Sequence, residues 1–183
     1  KEKKDWLEIE LNLPGKHNVL NALASIAVAR ELGVKTDFSC NINLPSGRHS
    51  CLMIGGITVI DETYNASPES VKAALDYLVT KPGRHFAVLG SMLELGEHSL
   101  ALHHAIAEHA LRVGLDGLVL FGDSDEVCSM SLVTSSMSNF AMASNLCDVA
   151  MTLNSWLVSG DVLLLKASRG VALERLIPLL KEN

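Results

Sequence analysis

Residues 59–75 read VIDETYNASPESVKAAL, a hydrophobic run that ends on an acid, passes through Tyr, Asn, Ala and Ser, and enters a helix at Pro68. Val59 and Ile60 finish a β-type run, and proline suits the first helical turn, where its missing N–H costs nothing. The polar residues therefore sit at a strand's carboxyl end beside a helix amino terminus. In open α/β sheets ligands bind there, because the loops diverge and the helix end offers unpaired N–H groups. Downstream the pattern alternates. A helix over 68–80 is followed by strand HFAVLG, a helix over 97–113, strand GLVLFG, a short helical stretch over 123–130, a helix over 141–158, strand DVLLLKAS and a helix over 170–182. Three buried-type strands, each followed by a helix, predict an α/β fold: a Rossmann-like, mainly parallel sheet with helices on both faces.

Upstream, HSCLMIGGITVI reads as a hairpin about a Gly-Gly turn. Before it, TDFSCNINLPSG over 36–47 is polar, lacks helical periodicity and holds Pro and Gly, which places a domain boundary there. The expected division is 1–46 and 47–183. The first part reads as a short strand over 6–11, an LPGKHN turn and a helix over 19–32 closed by Gly33.

With 183 residues and 48% hydrophobic content, the chain can bury one core, or one core and an appendage. A net charge of -6 and an aromatic content of 4% disfavour a dedicated nucleic-acid binder and point to small molecules or proteins as partners. Cys40, Cys51, Cys128 and Cys147 form no C-x-x-C, so neither a zinc site nor a disulfide framework is indicated, and a reducing compartment fits. No apolar run is long enough for a membrane span.

Neither G-x-G-x-x-G nor G-x-x-x-x-G-K-[ST] occurs, so the chain has no dinucleotide fingerprint and no P-loop. Four polar clusters remain. His17, Asn18 and Asn21 gather at a helix start, as plain caps or as readers of an adenine edge. Arg48 follows a turn, as a phosphate clamp or a solvated charge. Asp61 ends a strand, as an acceptor for a ribose diol or a turn cap. Lys166, Ser168 and Arg169 close a buried strand, as holders of a carboxylate or phosphate or as partners of surface acids. His98, His103, His104 and His109 crowd one helix, but their spacing scatters them around it and no H-E-x-x-H is present, so no metal site is expected.

GKHNVLNALA, IDETYNASPESVKAAL, AVLGSMLELGEHSLALH and LLLKASRGVALERL together resemble the MurF-type Mur ligases, ATP-dependent enzymes that join D-alanyl-D-alanine to the UDP-muramoyl-tripeptide of peptidoglycan. The resemblance covers nearly the whole chain. It implies that residues 1–46 are the end of a central P-loop ATPase domain with its linker, and that 47–183 are the carboxyl-terminal Rossmann-like domain. It implies ATP and Mg2+, with the metal's ligands mostly outside this sequence, and a bacterial cytoplasmic or plastid setting. By the same resemblance His17, Asn18 and Asn21 lie on the adenine side of the ATP site. Arg48 approaches the phosphates, and Asp61 binds ribose. Tyr64, Asn65 and Ser67 face the substrates, and Lys166, Ser168 and Arg169 approach the dipeptide carboxylate, with Arg48, Lys166 and Arg169 as the catalytic cations. His103 matches a family histidine, for which helix packing or loop anchoring is expected.

The sequence departs from the family pattern at Ser67, where Asn is usual, at Ser91, where Asp is usual, and at Ala167, where Gly is usual. The stretch from Gly33 to Arg48 is also shorter. Two other functions compete: a nucleotide-binding or assembly module derived from such a ligase, and an NAD-type oxidoreductase domain. An upstream P-loop motif favours the ligase over both. Without a P-loop, these residues alone are expected to fold, to bind ATP weakly or undetectably, and to form no amide.

Overall fold

The structure, a computed structural model, describes residues 9, 11, 16–34, 47, 48 and 50–180, the side chain of His17 excepted. The strand expected over 6–11 lies outside the described residues except at 9 and 11, which belong to no strand, and most of the polar connector over 36–47 lies outside them too. The chain divides into two compact units, Lys1–Asn43 and Leu44–Asn183.

In the first unit, helix α1 spans Lys16–Glu31. Gly33 closes it at φ 68°, a left-handed conformation that glycine adopts without a Cβ clash. The Gly33 and Val34 N–H groups return to the carbonyls of Arg30 and Ala29 at 3.0 and 2.9 Å. Val19, Leu20, Leu23 and Val28 on this helix are exposed.

In the second unit, strands β1 (Ser50–Ile54) and β2 (Ile57–Glu62) form the expected hairpin about Gly55 and Gly56. Helix α2 (Pro68–Leu78), β3 (His85–Gly90), α3 (Ser99–Val113), β4 (Gly117–Phe121), α4 (Asp125–Thr134), β5 (Phe140–Ala143), α5 (Leu146–Trp156) and β6 (Val162–Lys166) follow. The sheet order is β1-β2-β6-β3-β4-β5, antiparallel only between β1 and β2. The last strand thus enters between β2 and β3. As the chain advances from β2 to β5 its helices α2, α3 and α4 cover one face, where Leu75, Ile106 and Met130 meet Ile60, Leu120 and Leu164. Helix α5 returns across the other face, where Val149 and Leu153 meet Val59, Val88 and Leu163. Opposite directions of travel on opposite faces give every parallel crossover the same hand, as the right-handed rule for such connections requires. All of β6 is buried, and alternate residues serve the two faces, so its sequence is apolar without alternation.

Two expected elements are corrected. The helix over 141–158 is strand β5 followed by helix α5, with Asn145 capping the helix through its side-chain oxygen. Ala and Met favour helices intrinsically, and the four-residue edge strand has too little length to show a period of two. The helix over 170–182 is replaced by two tighter 3-10 segments, Arg169–Val171 and Leu173–Leu179, separated by Ala172 at φ 55°. Pro178 denies that stretch an α-helical hydrogen bond. Two smaller differences are the 3-10 turn Gly96–His98 before α3 and the longer α4.

The end of the sheet remote from the strands' carboxyl termini is closed by Asp161, which is buried. Its carboxylate accepts from Arg84 Nε and Nη2 at 2.9 and 2.7 Å and from the Val158 N–H at 2.7 Å. Asp161→Ala should cost about 1–3 kcal/mol, the price of an unsatisfied charged network. Arg84→Ala should cost less, because Arg84 is 44% exposed and water replaces part of what it loses. Urea denaturation of both variants checks the order.

Candidate functional site

The loops after β2, β6 and β3 emerge side by side at the carboxyl ends of the parallel strands. Ser168 joins them. Its hydroxyl accepts from the Leu93 N–H at 2.8 Å and donates to the Ala66 carbonyl at 3.5 Å, while its own N–H donates to the Ser91 carbonyl at 3.0 Å. Ser168 is 4% exposed, so this expected ligand contact sits inside the loop junction.

Lys166 is also buried. Parallel register sets it beside Glu62, and its Nζ donates to Glu62 Oε2 at 2.8 Å and to the Asn65 carbonyl at 3.0 Å. Burial of an ammonium is tolerable only with such partners. Glu62 was not singled out from the sequence, because only the insertion of β6 beside β2 makes these two residues neighbours.

Asp61 lies at the end of β2, 4% exposed. Its Oδ1 accepts from the Thr63 hydroxyl at 2.6 Å and the Thr63 N–H at 3.1 Å, and Oδ2 faces the Ser50 hydroxyl at 3.5 Å. Ser67 caps α2 in a reciprocal box with Ser70: the Ser70 N–H donates to Ser67 Oγ at 3.3 Å, and the Ser67 N–H donates to Ser70 Oγ at 2.9 Å. Asn65 is exposed between them.

Three further residues converge on the surface of this junction. Arg48 and Arg169, both exposed, place their guanidinium carbons 4.0 and 4.8 Å from the Tyr64 ring centroid. Both distances suit cation–π attraction. The Arg48 guanidinium, hydrogen-bonded to the phenol and charged beside it, and the charge of Arg169 hold the Tyr64 hydroxyl below the usual phenol range. Of the first-unit candidates, Asn21 is exposed and Asn18 is half-buried on α1, and only the backbone of His17 is described.

The loop over 91–95 is anchored from behind by His103, which is fully buried. The Met92 N–H donates to His103 Nε2 at 2.9 Å, so that nitrogen carries no proton, and Nδ1 donates to the Ser99 carbonyl at 2.8 Å. The expected anchoring role is what this geometry performs. Ser99 in turn donates to Glu126 Oε1 at 3.0 Å, tying the start of α3 to the start of α4.

The departures at Ser67, Ser91 and Ala167 fit the packing. Ser67 caps a helix, and Ser91 approaches the Ser124 hydroxyl at 3.3 Å. Ala167 is buried against Gly90, where an added Cβ would come within 2.9 Å of the Ala167 methyl. The extra methyl of Ala167 thus occupies space left by a glycine on the neighbouring strand.

Comparison with known proteins gives a consistent result. The family pattern described as Mur ligase, glutamate ligase domain, matches residues 47–169. The chain is 35% identical to the UDP-N-acetylmuramoyl-tripeptide–D-alanyl-D-alanine ligase of Synechocystis sp., over 98% of this chain and 40% of that protein. It is 30% identical to the ligase of the same name from Escherichia coli, over 97% of this chain and 40% of that protein. Among solved structures it superposes on the MurF ligase of Thermotoga maritima in complex with ADP with a TM-score of 0.75 and 31% identity, covering 91% of this chain and 38% of that one. The chain therefore spans about two fifths of the length of the curated relatives it matches.

The Glu126 carboxyl lies below its ordinary range, held there by its own backbone N–H at the start of α4 and by the hydroxyls of Ser124 and Ser99. A carboxyl depressed in the folded state adds stability above its unfolded pKa and loses it as pH falls through the folded value. Glu126→Gln should therefore lower the melting temperature near pH 7, with the difference from the parent shrinking as pH falls below the ordinary glutamate value of about 4.3. Melting curves across that range check the sign; a difference independent of pH would contradict it.

Proposed function

Because this chain belongs to the Mur ligase family, we propose that it is the carboxyl-terminal part of an ATP-dependent ligase that joins D-alanyl-D-alanine to UDP-muramoyl-tripeptide in peptidoglycan synthesis. In this reading the first unit is the end of the central ATPase domain, and the setting is the bacterial cytoplasm. The observation that carries the proposal is the convergence of Arg48 and Arg169 on Tyr64 at the strand ends of a chain 35% identical to the Synechocystis ligase. Among the described residues, no helix is long and apolar enough to cross a membrane.

The reaction begins with transfer of the ATP γ-phosphoryl group to the tripeptide's terminal carboxylate, giving an acyl phosphate. The dipeptide amine then attacks the carbonyl carbon, and phosphate leaves as the amide forms. Negative charge collects on the transferring oxygens, and exposed guanidiniums lower its energy most where water is excluded. In this reading Arg48 and Arg169 do that work. Asp61 holds ribose through Oδ2, whose contact with Ser50 is long enough to leave acceptor capacity. In the same reading Tyr64 and Asn65 contact the substrates, and His17, Asn18 and Asn21 contact the adenine of ATP. Lys166 and Ser168 act from below, tying the segment that leads to Arg169 to the loops after β2 and β3. The reading implies Mg2+ as well as ATP, with the metal's ligands mostly outside these residues.

A protein in which these residues follow a P-loop segment, from the full reading frame or by fusion to the first two domains of a working ligase, tests the reading. It should release phosphate only when ATP, UDP-muramoyl-tripeptide and D-alanyl-D-alanine are all present, and the 183-residue chain alone should release none. Release that D-alanyl-D-alanine fails to stimulate would overturn the substrate. Release by the chain alone, dependent on both substrates, would overturn the division of labour between domains.

A further inference from the structure

Two arginines from opposite ends of one folded unit rest on a single aromatic ring. The guanidinium carbons of Arg48 and Arg169 lie 4.0 and 4.8 Å from the Tyr64 centroid. Their separation therefore cannot exceed the sum of those two distances. Like charges this close repel, and among the described residues no carboxylate pairs with either of them. The two acids at the end of β2 are committed otherwise, Asp61 to Thr63 and Ser50, and Glu62 to Lys166.

The backbone enforces the arrangement. The Tyr64 N–H donates to the Gly47 carbonyl at 2.9 Å, which presses the residue before Arg48 against the end of β2. Gly47 adopts φ 77°, and an added Cβ would stand 3.0 Å from the Tyr64 nitrogen and 3.1 Å from Thr63 Oγ1. On the other side, the Ser168 junction fixes the residue before Arg169. Both arginines thus leave rigid backbone, and the ring stacks each flexible side chain, reducing the freedom it would lose on binding a ligand.

We propose that Tyr64 is a positioning residue that holds Arg48 and Arg169 as one two-pronged clamp for a single oxyanion, so that both arginines act on the same ligand group. The partner class is an anion with several acceptor oxygens, a phosphate or a carboxylate, which two guanidinium forks can share. The lowered phenol of Tyr64, which senses both charges, agrees with this placement. Only the ligand's source rests on the ligase reading: a nucleotide phosphate or the carboxylate of the dipeptide.

The probe is inorganic pyrophosphate, titrated into the 183-residue chain carrying Tyr77→Phe, so that Tyr64 is its one remaining tyrosine and reports binding by ultraviolet difference absorption. Calorimetry gives the affinity of variants that lack this reporter. Arg48→Ala and Arg169→Ala should each weaken binding about tenfold, the loss of a charge-assisted hydrogen bond. The double variant should lose far less than the product of the two, because one prong alone no longer makes the site. Tyr64→Leu should weaken binding about as much as either arginine variant and abolish the coupling, whereas Tyr64→Phe, which keeps the stacking surface, should restore both. Multiplicative arginine losses, an affinity unchanged by Tyr64→Leu, or no saturable binding by a folded chain would each overturn the clamp. Displacement of pyrophosphate by ATP assigns the oxyanion to a phosphate, and displacement by D-alanyl-D-alanine assigns it to the carboxylate. Coupling that persists with displacement by neither would uphold the clamp as a site for a simple oxyanion, independently of the ligase reading.

Discussion

Strand β6 enters the sheet last, between β2 and β3, and brings a lysine ammonium into a site that is 2% exposed. A charge so placed needs partners close at hand, and the parallel register supplies Glu62 directly beside it. The rest of the site depends on that pairing. Lys166 reaches past Glu62 to the Asn65 carbonyl and fixes the loop after β2, and two residues later Ser168 fixes the loop after β3. Three loops that leave different strands become one surface, with most of its polar atoms satisfied from beneath.

What the surface leaves exposed is therefore informative. Lys166 and Ser168 act as framework, and the positive charge offered outward belongs to Arg48 and Arg169 over Tyr64. His103 performs the corresponding service at the back of the 91–95 loop, where its bare Nε2 takes the Met92 N–H and its protonated Nδ1 meets the Ser99 carbonyl. A neutral imidazole with one donor and one acceptor suits that place better than an amide or a hydroxyl of different reach. Ser67, Ser91 and Ala167 belong to the same framework, as a helix cap, beside the Ser124 hydroxyl and against Gly90.

The parallel core was legible because HFAVLG, GLVLFG and DVLLLK are continuous apolar runs, as strands buried on both faces must be. β5 was not legible. Phe140–Ala143 is short, lies at the sheet edge and consists of residues that serve a helix equally well. The carboxyl-terminal segment misled for another reason: Leu173, Leu176 and Leu180 recur at spacings that fit an α-helix as well as a 3-10 turn, and Pro178 decides between them. In the site, Arg48, Asp61, Tyr64, Lys166 and Arg169 were each visible as polar residues beside strand ends. Their division into buried framework and exposed arginines was not, because it follows from where β6 inserts, and chain order does not reveal sheet order.

The central claim is that the end of β6 holds the loops around the arginines. It is tested most directly at the Leu93 amide, which donates to Ser168 Oγ at 2.8 Å across 75 positions of sequence. Amide hydrogen exchange followed by NMR should show this N–H protected in the parent chain. In Ser168→Ala it should exchange at least about tenfold faster, while the amides of β3 and β4 remain unchanged, the mark of local rather than global opening. Equal protection of Leu93 in both proteins would contradict the account.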